Sequence, residues 1–560
     1  MKHMRRFVVL TFVLLALFFV KQNTVSDDYS NVETFRGARL EQSVFYPLIA
    51  KSINDANGLT FRFNGEEMSL AADELCLNDN MQVMASLDFI RAMFYTSANV
   101  YDEKEFRLER NETEYKFYVD SLEAVAGTER VELSEKPLVT EHDYYLPLKD
   151  LCEIFGYEFQ WNMKTAELDI TSTEETTVFL PKSYDLRKKD RASSIKNQGS
   201  DQTCWAYAAY GAMESSLLPQ EQIFLNPKEL IDKKPYTYTD NAGGDFAMAL
   251  SYLLSWQGPM AGESKKHVQE VHFYNADDID DIKWGVYLYG GVSTSVYVNV
   301  SSIGSSSNYN RGTNAYCYQG ESAPNHDVII IGWNDNYPAS KFNGDVPGDG
   351  AFICQNSWGD SFGDEGVFYV SYYDSNVGNQ AVSYAKIESF DNYDFIQQMD
   401  RCGWRGQIGY NKDDAWGAAI YSASANVSLK ACGFYALDKN TTFQVYVAPK
   451  YEGISSLASR VLVASGKLDA AGYYTIPFLR EVTVEKGNDY AVILYINTPN
   501  QNHPVAIEYE TANMTHGSVD LSDGVSYVSK NGLDWENIEE TAKGNLCLKI
   551  YGDYRKEEEK

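Results

Sequence analysis

One run restricts this chain more than any other: Ile195-Lys196-Asn197-Gln198-Gly199-Ser200-Asp201-Gln202-Thr203-Cys204-Trp205-Ala206. A Gln-Gly pair precedes a Cys. The Cys is followed by an aromatic residue and an apolar, Ala-rich stretch that reaches Leu217. A helix that is apolar on nearly every side has to be buried. A thiol in the first turn of such a helix faces the positive end of the helix dipole. Only a thiolate attacks a carbonyl, so a Cys placed there is a candidate nucleophile.

Two later segments complete a set. One is Asn325-His326-Asp327-Val328-Ile329-Ile330-Ile331-Gly332-Trp333. The other is Cys354-Gln355-Asn356-Ser357-Trp358-Gly359, closed by Phe362-Gly363-Asp364-Glu365-Gly366. Cys, then His, then Asn, with the last two on separate strands far down the chain, resembles the papain-like cysteine peptidases from about Tyr184 to about Ile387. Taken singly, each motif also fits a structural Cys, a core His or an Asn in a turn.

The resemblance implies an α+β fold with a two-lobed core, a helical lobe plus a β-barrel lobe. It implies peptide-bond hydrolysis through a thioester acyl-enzyme, with no cofactor and no metal. Cys204 would be the nucleophile, its pKa lowered by the helix end and by an imidazolium partner. His326 would protonate the leaving amine and then activate water. Asn356 would hold the imidazole in plane, and Trp358 would cover their hydrogen bond. Gln198 and the Cys204 backbone N–H would form the oxyanion hole.

Substrate-binding positions carry over by the same resemblance. Gly243-Gly244 would pair its backbone with an extended peptide, where a side chain would block the approach. Gly291-Val292-Ser293 would border the main specificity pocket. Phe246, Ser295, Pro324 and Asp327 would line that pocket. Asp327 stands where the family has a small apolar residue. It would favour a basic or hydroxylated P2 side chain, unless it bonds local backbone. Three departures stand out. Asp201 replaces a cysteine, so a familiar disulfide is absent. Phe362 replaces a Trp. The loop Asn334 to Gly350 is long and bears on substrate access.

Acidic residues (79) outnumber basic ones (48), for a net charge of −31. That excess argues against a nucleic-acid partner, which needs clustered Lys and Arg. Lys2, Arg5 and Arg6 precede the apolar run Phe7 to Val20, short for a membrane span and typical of a secretory leader. A signal peptide over 1–26 is expected, with an uncleaved anchor as the alternative, and a secreted or cell-surface location. The eight cysteines show no zinc-like spacing. Cys402 with Cys432 or Cys547 is the expected bridge.

The length of 560 residues predicts several domains. Tyr144 to Trp161 reads as strand, short amphipathic helix and strand, and Met81 to Phe94 is a weaker copy. This repeat over 58–172 resembles the copper amine oxidase N-terminal-like domain, a small α+β repeat domain; with only His142 and no ligand cluster, the name implies no copper here. The peptidase-like region is read as 180–390. From 395 to 553, short alternating strands such as Thr442–Ala448 and Tyr490–Ile496 read as a β-sandwich. Its position behind a papain-like module resembles peptidases with a C-terminal lectin-like domain. Residues 554–560 read as a charged tail. A protein or peptide substrate is implied. Carbohydrate or cell wall is implied for the flanking domains by family label alone, and Trp416 could stack on sugar or pack in the core. Oligomeric state is not legible. Two rival functions share these residues: an adhesion protein with a weak peptidase scaffold, and an amidase or transpeptidase acting on cell-wall peptides.

Overall fold

The computed structural model describes residues 46–47 and 59–555, apart from 69, 71–73, 141–143, 174–175, 239–242, 262–263, 300–305, 512–513 and 517–518. The expected signal peptide, 1–26, and the tail from 556 lie outside the described residues.

The two copies of the N-terminal repeat pack against each other. Strand Val83–Ser86 leads into helix Leu87–Phe94, and strand Tyr144–Pro147 leads into helix Leu148–Phe155. The strands pair antiparallel, Tyr145 opposite Ser86 and Pro147 opposite Met84. Ser86 caps its helix by accepting from the Phe89 N–H at 3.2 Å. Phe94 and Phe155 meet edge to face at 5.5 Å in the shared core. The unit docks through Arg191, which is 1% exposed and donates to Ser97 Oγ (3.2 Å) and the Tyr287 carbonyl (3.0 Å). Lys189 pairs with Glu109 at 2.7 Å. These contacts fall on the turn Leu186–Lys189, on Arg191 just after it and on the helix Ile279–Tyr289, not on the segments bearing Cys204, His326 or Asn356.

The central region has the expected two parts. Helices Cys204–Leu217, Pro227–Lys233 and Phe246–Leu253 cluster together. The opposing sheet runs Val367–Ser371, Ala351–Gln355, His326–Asn334, Val292–Val296, Ala381–Ser389 and Ser264–Tyr274. Helix Cys204–Leu217 lies on the His326 strand. Gly211 faces Ile329 so closely that a Cβ would overlap the Ile329 side chain.

The same sheet continues into the C-terminal region. Strand Ser264–Tyr274 pairs with Gly472–Val484, Glu270 opposite Tyr474, and the sheet proceeds through Val427–Ala436 and Leu548–Tyr554. A six-stranded sheet built on Asp414–Ser422, Asp489–Asn497 and Thr441–Ala448 faces it, giving the expected sandwich. Phe434, Val445, Val492 and Ile550 are among the residues of the core between them. Phe273 stacks on Tyr435 (6.3 Å, 12°) and lies 5.8 Å from Trp404, so the boundary between the regions is itself apolar core.

Two expectations change, and the packing reading of Trp416 does not. The eight cysteines form no disulfide, so Cys402 is bridged to neither Cys432 nor Cys547. The loop Asn334 to Gly350 joins the strand ends remote from His326. Asn334 pairs with Ala351 whereas Ile329 pairs with Gln355. At about 3.3 Å per residue, the loop starts roughly 26 Å along the strand from His326. It buries Tyr337 and Phe342 against Cys317 and Ala351, so it covers the sheet and not the site. The Trp416 ring carries the Arg460 guanidinium at 4.6 Å, which favours the packing role over sugar stacking.

Ending the chain after residue 390 should therefore leave a soluble peptidase unobtainable. The edge of Ser264–Tyr274 would be unpaired and Phe273 uncovered. Size exclusion and thermal unfolding of such a fragment should show aggregation; a monodisperse species with one sharp transition would contradict the shared sheet.

Candidate active site

Cys204 opens its helix and keeps part of its surface accessible. The backbone N–H groups of Asp327, Trp205 and Cys204 itself point at its sulfur. The Asp327 N–H belongs to the first residues of the His326 strand, so helix start and strand start meet at the thiol. His326 is 2% exposed. Its Nε2 lies 2.8 Å from Asn356 Oδ1. The Ser357 N–H donates to the same oxygen at 2.7 Å, which marks that atom as the acceptor. Nε2 therefore carries the ring proton, and the lone pair sits on Nδ1. Trp358 stacks on the imidazole at 4.5 Å and 26°.

Gln198 is fixed from both ends. The Ser357 hydroxyl donates to its Oε1, and its Nε2 donates to the Asp201 carbonyl at 2.6 Å. The segment itself is held by a two-stranded contact: Gln198 N–H to Ser357 O (2.8 Å), Gly359 N–H to Lys196 O (3.0 Å), with Asn197 opposite Trp358. Next to it, Lys196 Nζ meets Glu214 Oε1 at 2.5 Å, both nearly buried, and Glu214 also accepts from the Leu225 N–H. Ser357, Lys196 and Glu214 had no role in the sequence reading. A lone acid inside an otherwise apolar helix was the signal for Glu214, since a buried charge needs a partner.

The other expected positions gather near the same helix. A Cβ on Gly243 would sit 2.9 Å from the Gln202 carbonyl, and one on Gly244 would sit 2.6 Å from the Trp205 ring. Packing on the helix start thus demands glycine here in addition to any peptide approach. Phe246 begins helix Phe246–Leu253 and packs on Phe273 at 6.1 Å. Ser295 stands directly opposite Asp327 across the sheet and donates to its Oδ1 at 2.6 Å. That side-chain bond replaces the local backbone bond considered for Asp327. Pro324 is exposed just before the His326 strand.

The electrostatics depart from expectation. Burial pushes the Cys204 thiol up to about 12, and the Asp327 charge adds to the rise; the N–H groups aimed at the sulfur only partly offset it. Burial also holds His326 down to about 4, against the Asn356 hydrogen bond. Desolvation outweighs the helix end, so burial disfavours both the thiolate and the imidazolium in the free site.

Residues 180–387 match the profile described as papain family cysteine protease, 396–552 that of the lectin like domain, and 62–193 that of the copper amine oxidase N-terminal domain. Residues 180–387 thus form a papain-family cysteine protease domain with a lectin-like domain behind it, which makes the protein a cysteine peptidase. Its curated relatives include a cysteine protease of Blomia tropicalis, 26% identical over 317 residues, 51% of this chain and 87% of that one. Cathepsin K of Mus musculus is 28% identical over 256 residues, 40% of this chain and 72% of that one. Among solved structures, the clostridial cysteine protease Cwp84 after propeptide cleavage aligns with a TM-score of 0.59 at 22% identity, covering 67% of this chain and 99% of that one. The cysteine protease and lectin-like domains of Cwp84, a surface layer associated protein of Clostridium difficile, align at 0.57 and 20% over 68% and 90%. At such identity the likeness is one of fold.

The profiles for the first and second regions overlap over 180–193; strand Ser183–Asp185 there pairs with His326–Asn334, so its hydrogen bonds belong to the peptidase sheet. The copper in the first profile's name would need a set of donors, and His142 lies outside the described residues. Among the described residues, no group of three or more His, Cys, Asp or Glu is arranged to hold a metal ion.

A neutral His326 has a measurable signature. Its folded pKa lies below the unfolded value, so unfolding takes up protons and stability falls as pH drops from about 6.5 towards 4. Each unit of such a shift is worth about 1.4 kcal/mol. His326→Gln should flatten this acid slope in denaturant titrations, and nitrogen-resolved NMR should show an Nε2–H tautomer through neutral pH. An imidazolium signal at pH 7 in the free protein would overturn the neutral pair.

Proposed function

We propose that this chain is a secreted or surface-held endopeptidase that cleaves peptide bonds through Cys204, His326, Asn356 and Gln198. The observation that carries the reading is the alignment of the Asp327 N–H on the Cys204 sulfur with His326 Nε2 bonded to Asn356 Oδ1, which leaves the Nδ1 lone pair for the thiol proton.

When substrate fills the cleft, the thiol proton passes to Nδ1 and the sulfur attacks the carbonyl carbon. The imidazolium then supplies the positive charge that the resting site lacks, so thiolate and imidazolium stabilise each other at contact. The carbonyl oxygen becomes an oxyanion, which accepts from the Gln198 amide and the Cys204 N–H. Ser357 presents the nitrogen end of that amide to the cleft. His326 returns its proton to the leaving amine as the C–N bond breaks, and a thioester remains. Water, deprotonated by His326, displaces the sulfur and releases the acid. Asn356 and Trp358 keep the ring in plane throughout.

The lectin-like domain suggests a carbohydrate ligand. The basic-then-apolar leader and the surface-layer description of Cwp84 favour a place at or beyond the cell surface.

An active-site-directed epoxide should label Cys204, and Cys204→Ala should remove peptide hydrolysis by about a thousandfold or more. Gln198→Ala should lower kcat by roughly a hundredfold with the fold intact. A reduced, folded protein that takes no label and cleaves no peptide would remove the reading. Products carrying an added amine in place of water would move it to acyl transfer.

A further inference from the structure

Two adjacent side chains beneath the imidazole have hydrogen-bonding needs that the protein does not meet. Gln355 closes strand Ala351–Gln355, and Asn356 follows it. They are 4% and 2% exposed. Gln355 Nε2 donates to Ser193 Oγ at 3.1 Å and to the Ser194 carbonyl at 3.4 Å. Those bonds set which end of the Gln355 amide is nitrogen. Among the described residues, nothing donates to its Oε1. Asn356 is the converse case. Its Oδ1 accepts twice, from His326 and from the Ser357 N–H, while its Nδ2 meets no acceptor among the described residues. A buried donor or acceptor without a partner is costly, and native proteins rarely leave one.

Both residues line one small cavity. Helix Cys204–Leu217 contributes Tyr207 and Gly211 to its wall, and Lys196 and Ser357 lie there too. The space is about 10 Å³, room for the centre of one water molecule. Lys196 is already paired with Glu214 at 2.5 Å, so the wall has no spare charge that calls for an ion. What the wall presents is one donor and one acceptor. A neutral ligand of one heavy atom that both accepts and donates fits that pair.

We propose that this cavity holds an internal water that accepts from Asn356 Nδ2 and donates to Gln355 Oε1, and that Gln355 is through it a positioning residue for the catalytic amide. The proposal rests on the peptidase reading above.

The consequence reaches the imidazole. A side-chain amide turned over by half a turn fills the same space. Turned over, Asn356 would aim Nδ2 at His326 and Oδ1 at the cavity. A donor facing Nε2 requires a lone pair there, so the ring proton would sit on Nδ1. That tautomer has no lone pair on Nδ1 to take the thiol proton. Two bonds oppose the turn: the Ser357 N–H on Oδ1 at 2.7 Å, and the water on Nδ2. The water can oppose it only if it is itself held, and Gln355, anchored on Ser193 and Ser194, holds it. Gln355 touches no reacting atom, so its influence falls on the state of the ring and not on substrate binding.

The test begins with the resting wild-type full chain. Its high-resolution crystal structure should show one ordered water within about 3.2 Å of both Asn356 Nδ2 and Gln355 Oε1. A dry cavity, or a water on only one of the two atoms, would overturn the proposal. Gln355→Met keeps the length of the side chain and removes the oxygen. In that variant nitrogen-resolved NMR should show part of the His326 signal as the Nδ1–H form. Its kcat should fall by about three- to tenfold, the share of one neutral hydrogen bond, with KM unchanged. A variant whose His326 stays wholly Nε2–H, or whose loss lies in KM alone, would overturn the positioning role. If Gln355→Met does not fold, the wild-type water still decides. Epoxide labelling and turnover of the wild type test the peptidase reading separately, so a failure of one is not mistaken for a failure of the other.

Discussion

The site depends on how closely one helix can lie on one strand. Cys204–Leu217 rests on His326–Asn334, and the contact at Gly211 and Ile329 has no room for a side chain between them. Gly291 repeats the constraint one strand over, donating its N–H to Ser215 Oγ at 2.8 Å. Because the helix sits this low, its first residue reaches the first residues of the strand, and the sulfur meets the Asp327 N–H. Any larger residue at Gly211 would lift the helix and open the gap between thiol and imidazole. The buried Lys196–Glu214 pair works from the other side, tying the Gln198 segment to the same helix.

Sequence and structure agree where the signal was a motif with a chemical reason. His326, Asn356 and Trp358 lie against one another and Asp327, next to His326, lies beside Cys204, and the repeated strand–helix units pair as two copies of one design should. What sequence missed depends on surroundings. The Ala-rich stretch gave the helix but not how dry its first turn is, so the thiol was expected to be acidic when burial makes it the reverse. The loop Asn334 to Gly350 has the composition of a lid, yet strand register puts it at the wrong end of the sheet. Cys402, Cys432 and Cys547 share a region but form no disulfide there. Asp327 was legible as an oddity, but its hydrogen bond to Ser295 required knowing which residues face each other across the strands.

A dry site at rest has a chemical consequence. The neutral thiol and neutral imidazole store no separated charge, so the ion pair is created with the substrate present. Burial that raises the barrier to forming the thiolate also strengthens each dipole aimed at it once it forms. Ser357 and Asn356 hold the donors in place beforehand, so little reorganisation accompanies the appearance of charge.

The sheet that crosses from the peptidase into the lectin-like region has neither a linker nor a hinge at Ser264–Tyr274 and Gly472–Val484. A binding module on a flexible tether samples many distances and raises the local concentration of everything within reach. This one is a fixed caliper. A polymer held on the outer sheet would be offered to the cleft at one spacing and one angle, so the position of a scissile bond relative to its anchor would become part of recognition, in addition to the residues around it.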